Sequence, residues 1–177
     1  ADTIRRIDKI YMLSNDVAHK MAILAMDQYG LLLSDITPNA YFCYDLEETN
    51  TAHGKLPIFL PSKLMFREDP LENSWDVTSD TIAAYIADVL HAKKLLLVTD
   101  VDGIFTHDPK KGMKTKLIEQ VSAKELLELK ERTSVDKMLP KMVLQTKLDC
   151  YVVNGKHPER VQQILENKKA ICTRITI

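Results

Sequence analysis

At 177 residues, 45% hydrophobic and 28% charged, the chain is long enough to bury a core and too apolar for a disordered segment. A net charge of −1 gives no basic surface of the kind that binding to nucleic acid or an anionic membrane requires. No run approaches the roughly 18 apolar residues of a membrane span, and no leader peptide is expected ahead of the first helix.

Ile4, Ile7, Ile10 and Tyr11 recur at helical spacing among Arg5, Arg6, Asp8 and Lys9, so a helix opens the chain. Ser14, Asn15 or Asp16 then caps a second helix that runs through Val17, Met21, Leu24, Ala25 and Gln28 toward Gly30. Its methionine stripe reads as core packing, and His19 as a packed or half-exposed helix residue. From residue 39 the pattern shortens to strand-like pieces at 40–44 and 56–60, with an exposed loop at 47–55 that includes His53. Pro61-Ser62 opens a short turn through Phe66 that Pro70 closes.

The second half alternates. Ser79 or Asp80 caps a helix carrying Ile82, Ala83, Ile86, Ala87 and Leu90, and a strand at 95–98 follows. A short strand near 116–121 precedes a helix capped by Ser122, with Glu125 completing a capping box. A helix at 138–148 leads to a strand at 150–153, Asn154-Gly155 turns the chain, Pro158 starts a helix through Ile164, and a strand at 170–175 ends the sequence. Such alternation predicts an α/β fold, a three-layer αβα sandwich with a largely parallel sheet. Cys43, Cys150 and Cys172 form neither a CxxC nor a Cys/His pair, so they read as buried thiols in a reducing cytoplasm, without a structural zinc.

Three segments carry candidate chemistry. VTDVDGIFTHDP (98–109) continues an apolar run past the end of a buried strand, where open α/β sheets place ligands. Gly103 permits a tight turn there, Phe105 offers a flat ring, and Pro109 holds Asp108 in a turn, which suits a base and ribose as well as a plain connection. NSWDVTSD (73–80) enters a helix, whose free N–H groups, with hydroxyls at Ser74, Thr78 and Ser79, either bind an anion or simply cap the helix. Asp80 makes sense there as an acid that orients a lysine or a metal-bound phosphate. In VDKMLPK (135–141), Lys141 follows a proline suited to a first helical turn and is either solvated or a point charge for a phosphoryl group.

In their order and spacing, SWDVTSD, LLLVTDVDGIF with the following Asp-Pro, VDKMLPK and the closing CTRI resemble the amino acid kinase superfamily, which includes acetylglutamate, aspartate, uridylate and isopentenyl phosphate kinases. The resemblance spans essentially the whole chain and is most specific over 71–177; VDGIFTHDP is worded most like uridylate kinases. AHKMAILAMDQYG, LPSKLMF, SWDVTSD and VVNGKHPERV are more similar to the archaeal-type kinases of methanofuran biosynthesis, which phosphorylate aminomethylfuran methyl phosphate to the diphosphate. The resemblance implies a single domain, 1–70 on the acceptor side and 71–177 on the nucleotide side, in an oligomer of identical subunits. It implies ATP with Mg²⁺, held by Thr99, Asp100, Val101, Gly103, Phe105, Asp108 and Pro109, with Phe105 near the adenine. Asn73, Ser74, Trp75, Asp76, Thr78 and Ser79 fall where the acceptor lies, Trp75-Asp76 suiting a small ring that bears an amine. Asp80 resembles the family's organising aspartate, and Lys141 the lysine that many members place on the ATP phosphates. No residue is implied as a direct metal ligand.

The family pattern opens with a strand and two glycine-rich loops that this sequence does not contain. Ala1-Asp2-Thr3 resembles the helix after the second loop, so roughly forty residues of that pattern are expected ahead of residue 1. Cys172 stands where many relatives have the glycine of a Gly-Thr pair. The expected activity is an ATP-dependent kinase acting on a small phosphorylated acceptor; the alternatives are a uridylate kinase-like enzyme and a non-catalytic nucleotide-binding or regulatory domain.

Overall fold

A computed structural model describes residues 2–51, 54–107, 115–128 and 133–177. His53 therefore lies outside the described residues. The chain divides into two compact units, Ala1–Trp75 and Asp76–Ile177.

In the first unit, α1 (Asp2–Tyr11) buries none of its residues. α2 (Asn15–Ile36) starts at Ser14, whose side chain accepts the Val17 N–H at 3.3 Å, as the hydroxyl-led cap pattern predicts. It does not stop near Gly30. That glycine lies inside the helix because a Cβ there would overlap the Leu60 side chain, so it serves close packing and not chain reversal. β1 (Ala40–Cys43) pairs in parallel with β2 (Leu56–Phe59), and the stretch between them, expected to be loop, contains a 3₁₀ turn at Leu46–Asn50. α3 (Ser62–Glu68) follows as a true helix; the buried Asp27 carboxylate of α2 accepts its first N–H, from Ser62, at 3.2 Å. Ile23, Cys43, Leu60, Leu64 and Met65 are buried in this unit, as is His19, whose pKa burial lowers.

The second unit comprises α4 (Ser79–Val89), β3 (Lys94–Thr99), β4 (Gln120–Ser122), α5 (Ala123–Glu128), α6 (Leu139–Thr146), β5 (Asp149–Asn154), α7 (Pro158–Leu165) and β6 (Thr173–Thr176). Its four strands run in the order β3-β5-β6-β4. β3/β5 and β4/β6 are parallel, while β5/β6 is antiparallel. The predicted α/β architecture is present, with its parallel pairs distributed over two sheets. Ala84, Leu97, Ile104, Leu139, Val143, Val152 and Ile175 form one buried core between the sheet and α4, α5 and α6. Ser122 and Glu125 complete the predicted capping box: Glu125 N–H donates to Ser122 Oγ at 3.1 Å, and Ser122 N–H to Glu125 Oε2 at 2.8 Å.

Cys43 and Cys150 are buried thiols, but Cys172 is only partly so. Burial pushes the Cys150 thiol up to about 12, which leaves it without thiolate character near neutrality. Among the described residues no helix is long and apolar enough to cross a membrane.

Candidate functional site

β3 and β5 end together. Thr99 pairs with Asn154, and the Thr99 carbonyl accepts the Gly155 N–H at 2.8 Å, so the loops after both strands start from one sheet edge. Asp100 is exposed, while Val101 and Phe105 are half-buried. Gly103 is required sterically: its φ is +153°, and a Cβ would overlap Thr173 Oγ1 and approach the Leu117 side chain at 2.9 Å. The same Thr173 hydroxyl accepts the Ile104 N–H at 2.7 Å and donates to the Ile118 carbonyl at 2.6 Å, fixing the loop to β6. Beyond it Phe105 bridges antiparallel to Leu117. Thr99, Asp100, Val101, Gly103 and Phe105 thus share the one segment that leaves the end of β3. Asp108 and Pro109 lie outside the described residues.

The entrance to α4 holds a feature that the sequence did not reveal. Asp136 sends its carboxylate to the starts of two helices. Its Oδ2 accepts from Thr78 N at 2.9 Å, Thr78 Oγ1 at 2.9 Å and Thr81 N at 3.0 Å. Its Oδ1 accepts from Thr81 Oγ1 at 2.6 Å, Met138 N at 3.1 Å and Leu139 N at 2.8 Å. Helix N-termini attract anions through their unpaired N–H groups and dipole. Here the anion is supplied from within the unit. The α4 cap is Thr78, whose hydroxyl also accepts the Asp80 N–H at 3.5 Å, and not Ser79 or Asp80 as expected. Both Thr78 donors are bound to Asp136, and Ser79 is exposed.

Asp80 lies beside this carboxylate, and its Oδ2 accepts the Asp136 N–H at 3.0 Å. Burial, and then the Asp136 charge, push its pKa up to about 6, against the lowering effect of that hydrogen bond. The two aspartates are therefore unlike: one is saturated with donors, and the other is poorly compensated and would gain from a cation. Lys141 is exposed on α6 and forms no ion pair among the described residues. Lys137 instead pairs with Asp76, Nζ to Oδ1 at 2.8 Å, and both side chains are exposed.

In the first unit, Trp75 is anchored on α1. Its indole N–H donates to Asp8 Oδ2 at 2.8 Å, and the Arg5 guanidinium lies 4.9 Å from the ring centroid. Asn73 Nδ2 lies 3.5 Å from Asp69 Oδ1, and Ser74 N–H donates to the Glu72 carbonyl at 3.0 Å.

Among the described residues no three His, Cys, Asp or Glu side chains converge as a metal cage. Mg²⁺ commonly binds through one or two carboxylates together with substrate phosphates, and the carboxylates present fit an ion of that kind better than one held by protein alone.

Residues 1–154 match the pattern of the Amino acid kinase family. The chain is 40% identical over 177 residues to the [5-(aminomethyl)furan-3-yl]methyl phosphate kinase of Methanocaldococcus jannaschii, covering 99% of this chain and 78% of that protein. It is 35% identical over 98 residues to the uridylate kinase of Methanococcus aeolicus, covering 51% of this chain and 43% of that one. The crystal structure of uridylate kinase from Archaeoglobus fulgidus superposes with a TM-score of 0.73 at 20% identity, covering 99% of this chain and 78% of that chain. With pattern, near-complete sequence likeness and fold in agreement, the chain belongs to the amino acid kinase family.

Proposed function

We propose that this protein transfers the γ-phosphoryl group of ATP to the phosphate of [5-(aminomethyl)furan-3-yl]methyl phosphate. An acceptor phosphate oxygen forms a bond to Pγ while the bond from Pγ to the β-phosphate bridging oxygen breaks. ADP leaves, and the acceptor becomes a diphosphate. The observation that carries this reading is the 40% identity maintained over 99% of the chain, whereas the likeness to the uridylate kinase of M. aeolicus covers about half.

An acceptor phosphate is already anionic, so the reaction needs alignment and charge neutralisation more than a base. Thr99, Asp100, Val101, Gly103 and Phe105, continuing to Asp108 and Pro109, hold ATP, with Phe105 against the adenine. Bound together with the nucleotide phosphates, Mg²⁺ would supply neutralisation of their charge, and Asp80 would be the carboxylate that orients it. Asp80 orients cationic groups at the phosphates, Lys141 supplies a mobile positive charge, and Asp136 keeps Asp80 in place through its N–H. Asn73, Ser74, Trp75, Asp76 and Ser79 receive the acceptor. Its ammonium takes Asp76 from Lys137, which an exposed ion pair worth about 0–1 kcal/mol permits. The protein works in the cytoplasm as an oligomer of identical subunits.

The complete gene product, assayed with MgATP, should form the furan diphosphate and ADP and leave UMP largely untouched. Lys141→Ala should lower turnover about 10²–10³-fold with a smaller effect on ATP affinity. UMP phosphorylation without furan turnover would establish the uridylate kinase alternative, and ATP binding without transfer to either acceptor would point to a binding domain.

A further inference from the structure

We propose that Arg160, on α7 and so far without an assigned role, is a positioning residue for the ATP-binding loop, acting through Asp102. The inference rests on the assignment of Thr99, Asp100, Val101, Gly103 and Phe105 to ATP. Asp102 is the residue of that loop to which two side chains from elsewhere in the unit are bound. Its Oδ1 accepts from Arg160 Nη1 at 2.6 Å and from Asn154 Nδ2 at 2.9 Å. Asn154 is itself 8% exposed, and its Oδ1 accepts the Lys156 N–H at 3.0 Å, which fixes its amide. The three residues come from the β3 loop, the end of β5 and α7, so they tie together the loops that leave the shared sheet edge.

Burial separates this pair from an ordinary surface bridge. The Arg160 side chain is 13% exposed and that of Asp102 39%, whereas the Lys137–Asp76 pair is 79% and 51% exposed. A guanidinium largely removed from water is costly without its carboxylate, so Arg160 and Asp102 stay together and the loop stays where α7 puts it. On the other side of Asp102, Gly103 packs closely against Thr173, whose hydroxyl accepts the Ile104 N–H. The loop is thus held on both sides before nucleotide arrives. Without one hold it samples other conformations, and ATP affinity falls by the fraction of the time the competent one is lost.

In the complete gene product, Arg160→Ala should raise the KM for ATP and its calorimetric Kd about tenfold. Turnover at saturating ATP and the KM for the acceptor should stay within about twofold. Arg160→Lys should restore part of the affinity, and Asp102→Asn should reproduce the loss, with no further loss in the double variant. A merely structural role would lower thermal stability and the active fraction without this split between KM and kcat. Wild-type ATP affinity in folded Arg160→Ala would overturn the inference and leave the ATP assignment standing. Should that variant fail to fold, unchanged ATP affinity in Asp102→Asn would overturn it equally. Absence of ATP binding by the wild type would instead overturn the ATP assignment, and the inference with it.

Discussion

Replacing Asp80 with asparagine should make the protein more stable and less active, and the gain in stability should depend on pH in a defined way. The folded state raises the Asp80 pKa from 3.8 to about 6, so it binds this proton more tightly than the unfolded chain does. Stability is therefore lost as pH rises from the unfolded value through the folded one, and the loss is complete above about pH 6. At 1.36 kcal/mol per pKa unit, the ionised carboxylate destabilises the fold by about 3 kcal/mol at pH 7 but by only about 0.5 kcal/mol at pH 4. Asparagine retains an oxygen for the Asp136 N–H and removes the charge. Urea unfolding of both proteins at pH 4, 5.5 and 7.5 should show a difference that opens with pH and levels off above neutrality. MgATP turnover by the same variant should fall about 10²–10³-fold. Equal stability at every pH, or an asparagine variant that is weaker at pH 7.5, would refute the account of Asp80 as a charge held at a cost.

Asp136→Ala removes the acceptor for six donors at two helix starts and should cost about 3–5 kcal/mol, measured by the same unfolding curves. Phe105→Ala should weaken ATP binding about ten- to hundredfold by calorimetry, since a half-buried ring loses both burial and stacking. Gly103→Ala should cost about 2–4 kcal/mol in thermal or chemical unfolding, because its φ is unfavourable for alanine and Thr173 fills the space.

What could be read from the sequence was what is decided locally. Ser14 as a cap, the Ser122–Glu125 box and the turn at Asn154-Gly155 each depend on residues within a few positions. The strand that ends at Thr99 was legible because an apolar run stops at turn residues. Gly30 was misread for the opposite reason: its side chain is excluded by Leu60, thirty positions on, and no neighbour in the sequence shows it. The antiparallel β5/β6 pair was hidden because a short apolar run carries no direction. Asp136 was quoted as part of a motif and given no role. Its partners Thr78 and Thr81 lie 58 and 55 positions away, so spacing could not connect them.

The entrance to α4 is a place for negative charge, and the Asp136 carboxylate supplies one there from within the same unit. A helix start followed by Thr, Ser, Asp and Thr offers donors, and the physical preference for an anion is real. That preference can be met by a substrate or by a carboxylate of the same chain, and local sequence does not distinguish them. With Asp136 in that position, Thr78 and Thr81 hold its carboxylate at the helix start, while Asp80 is left partly buried next to a like charge. A carboxylate in that state gains more from a bound cation than a solvated one would, because the cation relieves both burial and repulsion. Saturating one aspartate thus leaves its neighbour as the carboxylate that a nearby cation would stabilise most, and that difference depends on the contact between residues 80 and 136.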